Sequence, residues 1–183
     1  MRRRQSRYRS VTSFPRSGRL CSLSFISALW TLFSLLAGAS GALDDAAMIA
    51  RLRQHRAGFE AVVAMARQDR GLVRVDHDWT DPADPESVGI PAERIADYRR
   101  RLAQLGLPRG ITIHADGRQV DFLAASRGFG PRGMSRSYVW SETGEFPDGE
   151  VTRNLDRLEA SGRRRVWAFR HVDGPWWLHL RVD

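Results

Sequence analysis

The sequence predicts an α+β domain: two N-terminal helices packed on a mostly antiparallel sheet of about five strands. Three observations predict it. Apolar residues recur at three- and four-residue steps in the first half of the domain. Alternation with period two replaces that pattern in the second half. Two Asp-Gly pairs, Asp116-Gly117 and Asp173-Gly174, separate such alternating runs, and that composition suits the tight turns of hairpins.

Residues 44–70 read as one long helix. Asp44 and Asp45 can cap its start and Gly71 can end it. Met48, Leu52, His55, Phe59, Val62, Val63 and Ala66 form its apolar stripe. Leu72–Val75 is a short strand candidate, and Asp76–Gly89, with two prolines among five acidic residues, reads as a loop. A second helix spans Pro91–Leu105, with Ile95, Tyr98, Leu102 and Leu105 inward. Pairing residue 115 with 118 puts Ile111, Ile113, Val120 and Phe122 on one face of the first hairpin, and Thr112, His114, Gln119 and Asp121 on the other. In the second hairpin, pairing 172 with 175 puts Trp167, Phe169 and His171 with Trp176, Leu178 and Leu180 on the core face. Pro175 has no N–H to close that turn, which leaves room for a larger loop. Ser135–Ser141 reads as a further strand and Val151–Ala160 as a short helix.

Residues 1–42 stand apart as a signal peptide or N-terminal membrane anchor, followed by a single domain over 43–183. A basic segment precedes the apolar run Leu20–Ala37 and the small residues Gly38–Ala42. Ser40 and Ala42 fit the −3 and −1 positions of a cleavage site, which makes Leu43 the first mature residue. The 18-residue apolar run also approaches the length of a membrane span. The expected location is therefore periplasmic or secreted, alternatively inner-membrane anchored.

All 29 basic residues are arginine. Seven lie in residues 1–42, which contain no acidic residue, so residues 43–183 hold 22 basic against 21 acidic side chains. The formal charge of +8 belongs to the leader. No domain-wide footprint for nucleic acid is present. Cys21, the one cysteine, lies in the apolar run, so the mature domain has no disulfide, thiolate site or cysteine nucleophile.

Gly128-Phe129-Gly130-Pro131-Arg132-Gly133 is a literal G-x-G-x-x-G. A dinucleotide site needs a helix to open at that loop, but SRSYVW follows and reads as a strand. A kinase-type loop needs a lysine partner, and the chain has no lysine. No cofactor is expected. Arg127, Arg132 and Arg136 flank the glycines and are candidates for binding an anion or a partner. Trp177, predicted to face away from the core beside Arg170 and Arg181, is the fourth candidate binding residue.

His55, His77, His114, His171 and His179 form no zinc-type spacing, and no metal is expected. His55 and His171 read as core histidines. His114 and Asp121 are diagonal neighbours on the exposed hairpin face, a candidate acid–base pair without an evident nucleophile.

Arg56-x-x-Phe59 with Met65 and Asp69, Tyr98-Arg99-Arg100 with Leu105-Gly106, Ser126-Arg127-Gly128 with Ser135-Arg136-Ser137-Tyr138, and Gly174-Pro175-Trp176-Trp177 together resemble a group of small uncharacterised bacterial envelope proteins, many of them lipoproteins. The resemblance covers most of residues 46–181 and implies export without implying an activity or a catalytic residue. Ala39 stands where the lipidated members carry the acceptor cysteine, so lipid attachment does not carry over. The expected function is an exported non-catalytic domain that binds an envelope component or partner protein. The alternative is a periplasmic hydrolase-like enzyme using the His114/Asp121 face.

Overall fold

The computed structural model describes residues 43–114, 117–128, 133–146 and 149–183. Residues 1–42, expected from the sequence to be a signal peptide or anchor, and Arg132 lie outside the described residues. In chain order the elements are α1 (Asp45–Gln54), α2 (Arg56–Gln68), β1 (Arg74–Val75), β2 (Thr80–Asp81), a 3-10 turn at Pro85–Val88, α3 (Ala92–Gln104), β3 (Ile111–His114), β4 (Gln119–Arg127), β5 (Met134–Ser141), β6 (Glu150–Val151), α4 (Leu155–Ala160), β7 (Val166–Asp173) and β8 (Trp176–Val182). The strands make one sheet in the order β2-β1-β3-β4-β5-β8-β7-β6. All neighbours run antiparallel except β6 and β7.

The class is α+β, with eight strands rather than about five. Beyond the five longer strands are β1, β2 and β6, each two residues long; β1 falls within the Leu72–Val75 strand candidate, whereas β2 lies in a segment read as a loop and β6 overlaps the start of one read as a helix. Two residues cannot show an alternation, so these strands exist through their pairing: β1 on β3, β2 on β1 at one edge, and β6 on β7 at the other.

The helix positions also differ from expectation. The segment 44–70 divides at His55, which closes α1 and opens α2 with φ −110° and ψ 21°. Three residues on, Gly58 lets Leu105 approach so closely that an added Cβ would lie 2.9 Å from its Cδ2. A straight helix with a side chain there would not seat the end of α3. The C-terminal helix is shorter than the 151–160 segment, because Glu150 and Val151 pair with Ala168 and Phe169.

The helices pack on one face of the sheet. Phe59 sits at the centre of that core, edge-on to Phe122 (5.1 Å), Tyr138 (4.9 Å) and Trp176 (5.5 Å). Edge-to-face geometry sets the positive ring edge against the negative ring face, which adds to burial. Met48, Leu52, Ile95, Leu102 and Leu155 complete the same cluster.

The first hairpin has the predicted register, Ile111↔Phe122 and Ile113↔Val120. The second does not. Trp167 pairs with Arg181, Phe169 with His179 and His171 with Trp177, and the register shifts between His171 and Asp173. The bulge at Val172 adds one residue, and one residue reverses every side chain. Trp167, Phe169 and His171 therefore leave the core face; Val166, Ala168 and Arg170 take their place. Pro175 supplies the reason, since the two-residue turn that the sequence suggests has no N–H to close it.

Phe59→Ala removes the central ring and is expected to cost about 3–5 kcal/mol of unfolding free energy, read from urea transitions. A loss below about 1 kcal/mol would show that the four-ring cluster is not the centre of the core.

Candidate functional site

The first hairpin ends and the next begins around the glycine-rich loop. Arg127 pairs with Met134 across antiparallel β4 and β5, so this G-x-G-x-x-G joins strands and opens no helix. The two described arginines that flank it, Arg127 and Arg136, turn toward protein carboxylates. Arg127 pairs with Glu159. Arg136, 2% exposed, donates from Nε to Glu159 (2.9 Å), from Nη1 to Asp45 (3.0 Å) and from Nη2 to Asp156 (2.7 Å). Burial opposes its charge, but Asp156 and Glu159 outweigh that effect and raise its pKa.

Asp45 is as buried as Arg136, at 2% exposure. Its Oδ2 also accepts from Arg170 Nη1 (2.7 Å) and from the Leu155 amide (2.8 Å). Its own amide donates to both Asp156 oxygens at 3.1 Å. Neighbouring Asp44 performs the capping role, accepting from the Ala47 amide at 2.7 Å. Sequence reasoning assigned both aspartates to capping, because adjacent acidic residues at a helix start look alike. A shallow cavity of about 280 Å³ opens beside this cluster, lined by Leu43, Asp44, Arg136, Asp156, Glu159 and Ala160.

The sheet face opposite the helices carries a second, smaller apolar layer. Val139 (0%) and Phe169 (2%) are buried there, outside the main core. Phe146 stacks on Phe169 at 3.8 Å and meets Trp177 edge-on at 5.1 Å. Trp177 thus faces away from the core, half-buried, with His171 4.7 Å from its ring and its Nε1 without a partner. Trp167 is 42% exposed, with the Arg181 guanidinium 5.5 Å from its ring.

His179 belongs to this layer and was not singled out from the sequence. It is 4% exposed, stacked on Phe169 at 4.5 Å and 4.6 Å from Trp167. Its Nε2 has no partner. Burial pushes its pKa down to about 4. His171, expected in the core, is exposed and bonds the Gly174 carbonyl at 2.9 Å. His55 is half-buried at the α1–α2 junction. His114 Nε2 lies 3.5 Å from Asp121 Oδ2, and that contact raises the His114 pKa. Asp121 also accepts from Gln119 at 2.9 Å.

Two further polar groups sit by α3. Asp69 accepts from Arg94 Nε and from the Tyr98 hydroxyl, both at 2.7 Å. Burial, followed by that bond, raises the Tyr98 pKa well above the ordinary phenol value. Asp76, His77 and Asp78 bring potential metal-ligand atoms within 4.8 Å of one another. The Asp76 carboxylate, however, is engaged by Arg74 (2.9 Å) and the His77 amide (2.8 Å). Burial pushes its pKa up, but the bonds to His77 and Arg74 outweigh this and lower it.

Comparison with protein-family models, with curated proteins and with solved structures finds no match. Among the described residues no helix is long and apolar enough to cross a membrane.

Asp45→Ala leaves Arg136 Nη1, Arg170 Nη1 and the buried Leu155 amide without their shared acceptor. We expect a loss of about 3–5 kcal/mol in urea unfolding, against about 1 kcal/mol for Asp44→Ala. Equal losses would mean that Asp45 is only a second cap.

His179 yields a pH prediction. Its folded pKa of about 4 lies below the ordinary 6.5, so the unfolded chain takes up the proton first as pH falls. Its neutral form is fully compatible with the fold at pH 7; destabilisation develops from about pH 6.5 toward 4 and reaches about 2 kcal/mol by pH 5. His179→Phe is expected to remove that part of the acid sensitivity. His114 acts in the opposite direction, since a raised pKa stabilises below the unfolded value and is lost as pH rises through the folded one. It is present in both proteins and cancels. An unchanged stability difference between pH 7 and pH 5 in His179→Phe would contradict the assignment.

Proposed function

We propose that the chain is an exported, non-catalytic domain that binds an envelope component or a partner protein through the outer face of β7 and β8. The observation that carries this reading is the aromatic layer on the sheet face opposite the helices. Trp167 is exposed there beside Arg181, with Phe169 and His179 on the next outward rung and His171 and Trp177 on the one beyond it. Tryptophan and arginine are the side chains that most often dominate binding surfaces. Arg132 in the neighbouring loop is a further candidate contact. Arg127 and Arg136, bound to internal carboxylates, serve to hold the loop's flanking strands.

The basic segment, apolar run and small residues of 1–42 support a periplasmic or secreted location, alternatively one anchored at the inner membrane through residues 1–42. The near-neutral domain argues against nucleic acid as the partner. The hydrolase-like reading rests on the His114–Asp121 contact and is the weaker one. Among the described residues no hydroxyl is hydrogen-bonded to His114, whose one side-chain partner there is Asp121.

The test is a titration of the mature protein with anionic lipid vesicles and envelope glycan fragments at two salt concentrations, followed by tryptophan fluorescence. Trp167→Ala is expected to weaken the interaction found by roughly tenfold or more while leaving the urea midpoint unchanged. Wild-type affinity in Trp167→Ala and Trp177→Ala alike would remove the outer face as the contact surface.

A further inference from the structure

The ion-pair cluster at the start of α1 lies two residues from the point where the leader is expected to be cut. We infer that hydrolysis of the Ala42–Leu43 bond creates a ligand for this cluster: the new α-ammonium of Leu43, held by the carboxylates of Asp156 and Glu159. The inference rests on the export reading, because that reading supplies the cut. Water adds across the peptide C–N bond; Ala42 leaves as a carboxylate, and the Leu43 nitrogen becomes an amine that is protonated at neutral pH.

Four observations place that nitrogen at the cluster. Leu43 packs against the hydrophobic core, which fixes where the domain starts. Leu43 and Asp44 line the same cavity as Asp156 and Glu159. The backbone is already docked two residues later, since the Asp45 amide donates to both Asp156 oxygens at 3.1 Å; two residues span at most about 7 Å. The Asp156 side chain keeps 40% of its surface exposed and that of Glu159 21%, so both can accept another donor.

Charge counting points the same way. Arg127 on β4, Arg136 on β5 and Arg170 on β7 face Asp45 on α1 and Asp156 and Glu159 on α4. Three cations meet three anions. Asp44 adds a fourth carboxylate, and among the described residues no cationic side chain pairs with it. An α-ammonium at Leu43 balances it. The positive end of the α1 dipole opposes a cation there by about 0.3–1 kcal/mol, a smaller effect than several nearby carboxylates exert on a partly buried ammonium. Before the cut this nitrogen is a neutral amide and contributes none of this.

The sequence supplies a clean probe. The chain contains no lysine, so the α-amino group is its one primary amine and an acylating reagent marks it alone. The full-length protein is exported and purified, and its intact mass reports the cut. The pH dependence of acetylation then gives the α-amino pKa, and urea midpoints are compared before and after acetylation. We expect a pKa at least about one unit above the ordinary 7.7–8.0, a lower midpoint after acetylation, and a smaller acetylation effect in Asp156→Asn and Glu159→Gln. Each variant is compared with its own acetylated form, so any loss through Arg136 cancels. An ordinary pKa, or midpoints that acetylation does not move, overturns the inference. A mass showing a different cut or none counts against the export reading instead. The same two measurements are then made on Leu43–Asp183 released from a fusion, since residues 42–183 form one compact unit with its own core.

Discussion

Asp45 puts a carboxylate where four elements meet. Arg136 reaches it from β5, Arg170 from β7 and the Leu155 amide from the first turn of α4, while its own amide rests on Asp156. Removing such a charge from water costs several kcal/mol, and the cost is offset only when its oxygens find good donors. Here they do. The apolar core beside it is non-directional, and contacts among Met48, Leu52 and Phe59 would tolerate a small slide of α1. Bonds from three directions to one carboxylate do not. The cluster therefore fixes the N-terminal helix against the far half of the sheet, joining residues 91 to 125 positions apart.

That attachment divides the sheet into two faces with different tasks. One face carries the helices and the Phe59 ring cluster. The other keeps a thin aromatic layer in which Phe146, from the β5–β6 connection, covers Phe169. The bulge at Val172 is what separates them. By reversing β7 it sends Arg170 inward to Asp45 and Trp167 outward to solvent. A hairpin in the unbulged register would have buried Trp167 and His171 and turned Arg170 away from its carboxylate. The place of Arg170 in the ion cluster and the exposed tryptophan are thus two consequences of one inserted residue.

Much of the scaffold was legible. The first hairpin followed from Asp116-Gly117 and four consistent apolar positions, and Pro91–Leu105 differs from α3 by one residue at each end. Legibility failed where local pattern carries no information. Strands of two residues have no period. The division at His55 interrupts an apolar stripe that runs on through it, so the spacing does not mark it; nearby, Leu105 closes on Gly58 from 47 positions away. The second hairpin contained its own warning in Pro175, but the proline says only that the tight turn fails, not where the extra residue goes. For the site, Trp177 was read outward from alternation, and it lies outward. Arg136 was read as a loop arginine open to ligands; it is buried, because its partners are distant carboxylates. His179 showed no signal at all, since an alternating strand places a histidine outward without revealing what will cover it.

The arginine-only composition takes on a structural meaning at Arg136. Its guanidinium serves three carboxylates through three different nitrogens, Nε to Glu159, Nη1 to Asp45 and Nη2 to Asp156. A planar fork can do this because its donors diverge within one plane, so carboxylates on two separate helices are met without bending the side chain. A lysine ammonium is a compact point charge at the end of a flexible stem. It could neutralise one of these carboxylates well, but would hold the others at unfavourable angles. The buried Asp45 would then keep Arg170 and the Leu155 amide and lose its link to β5. Arginine in place of lysine is, at this one position, a geometric requirement of the fold.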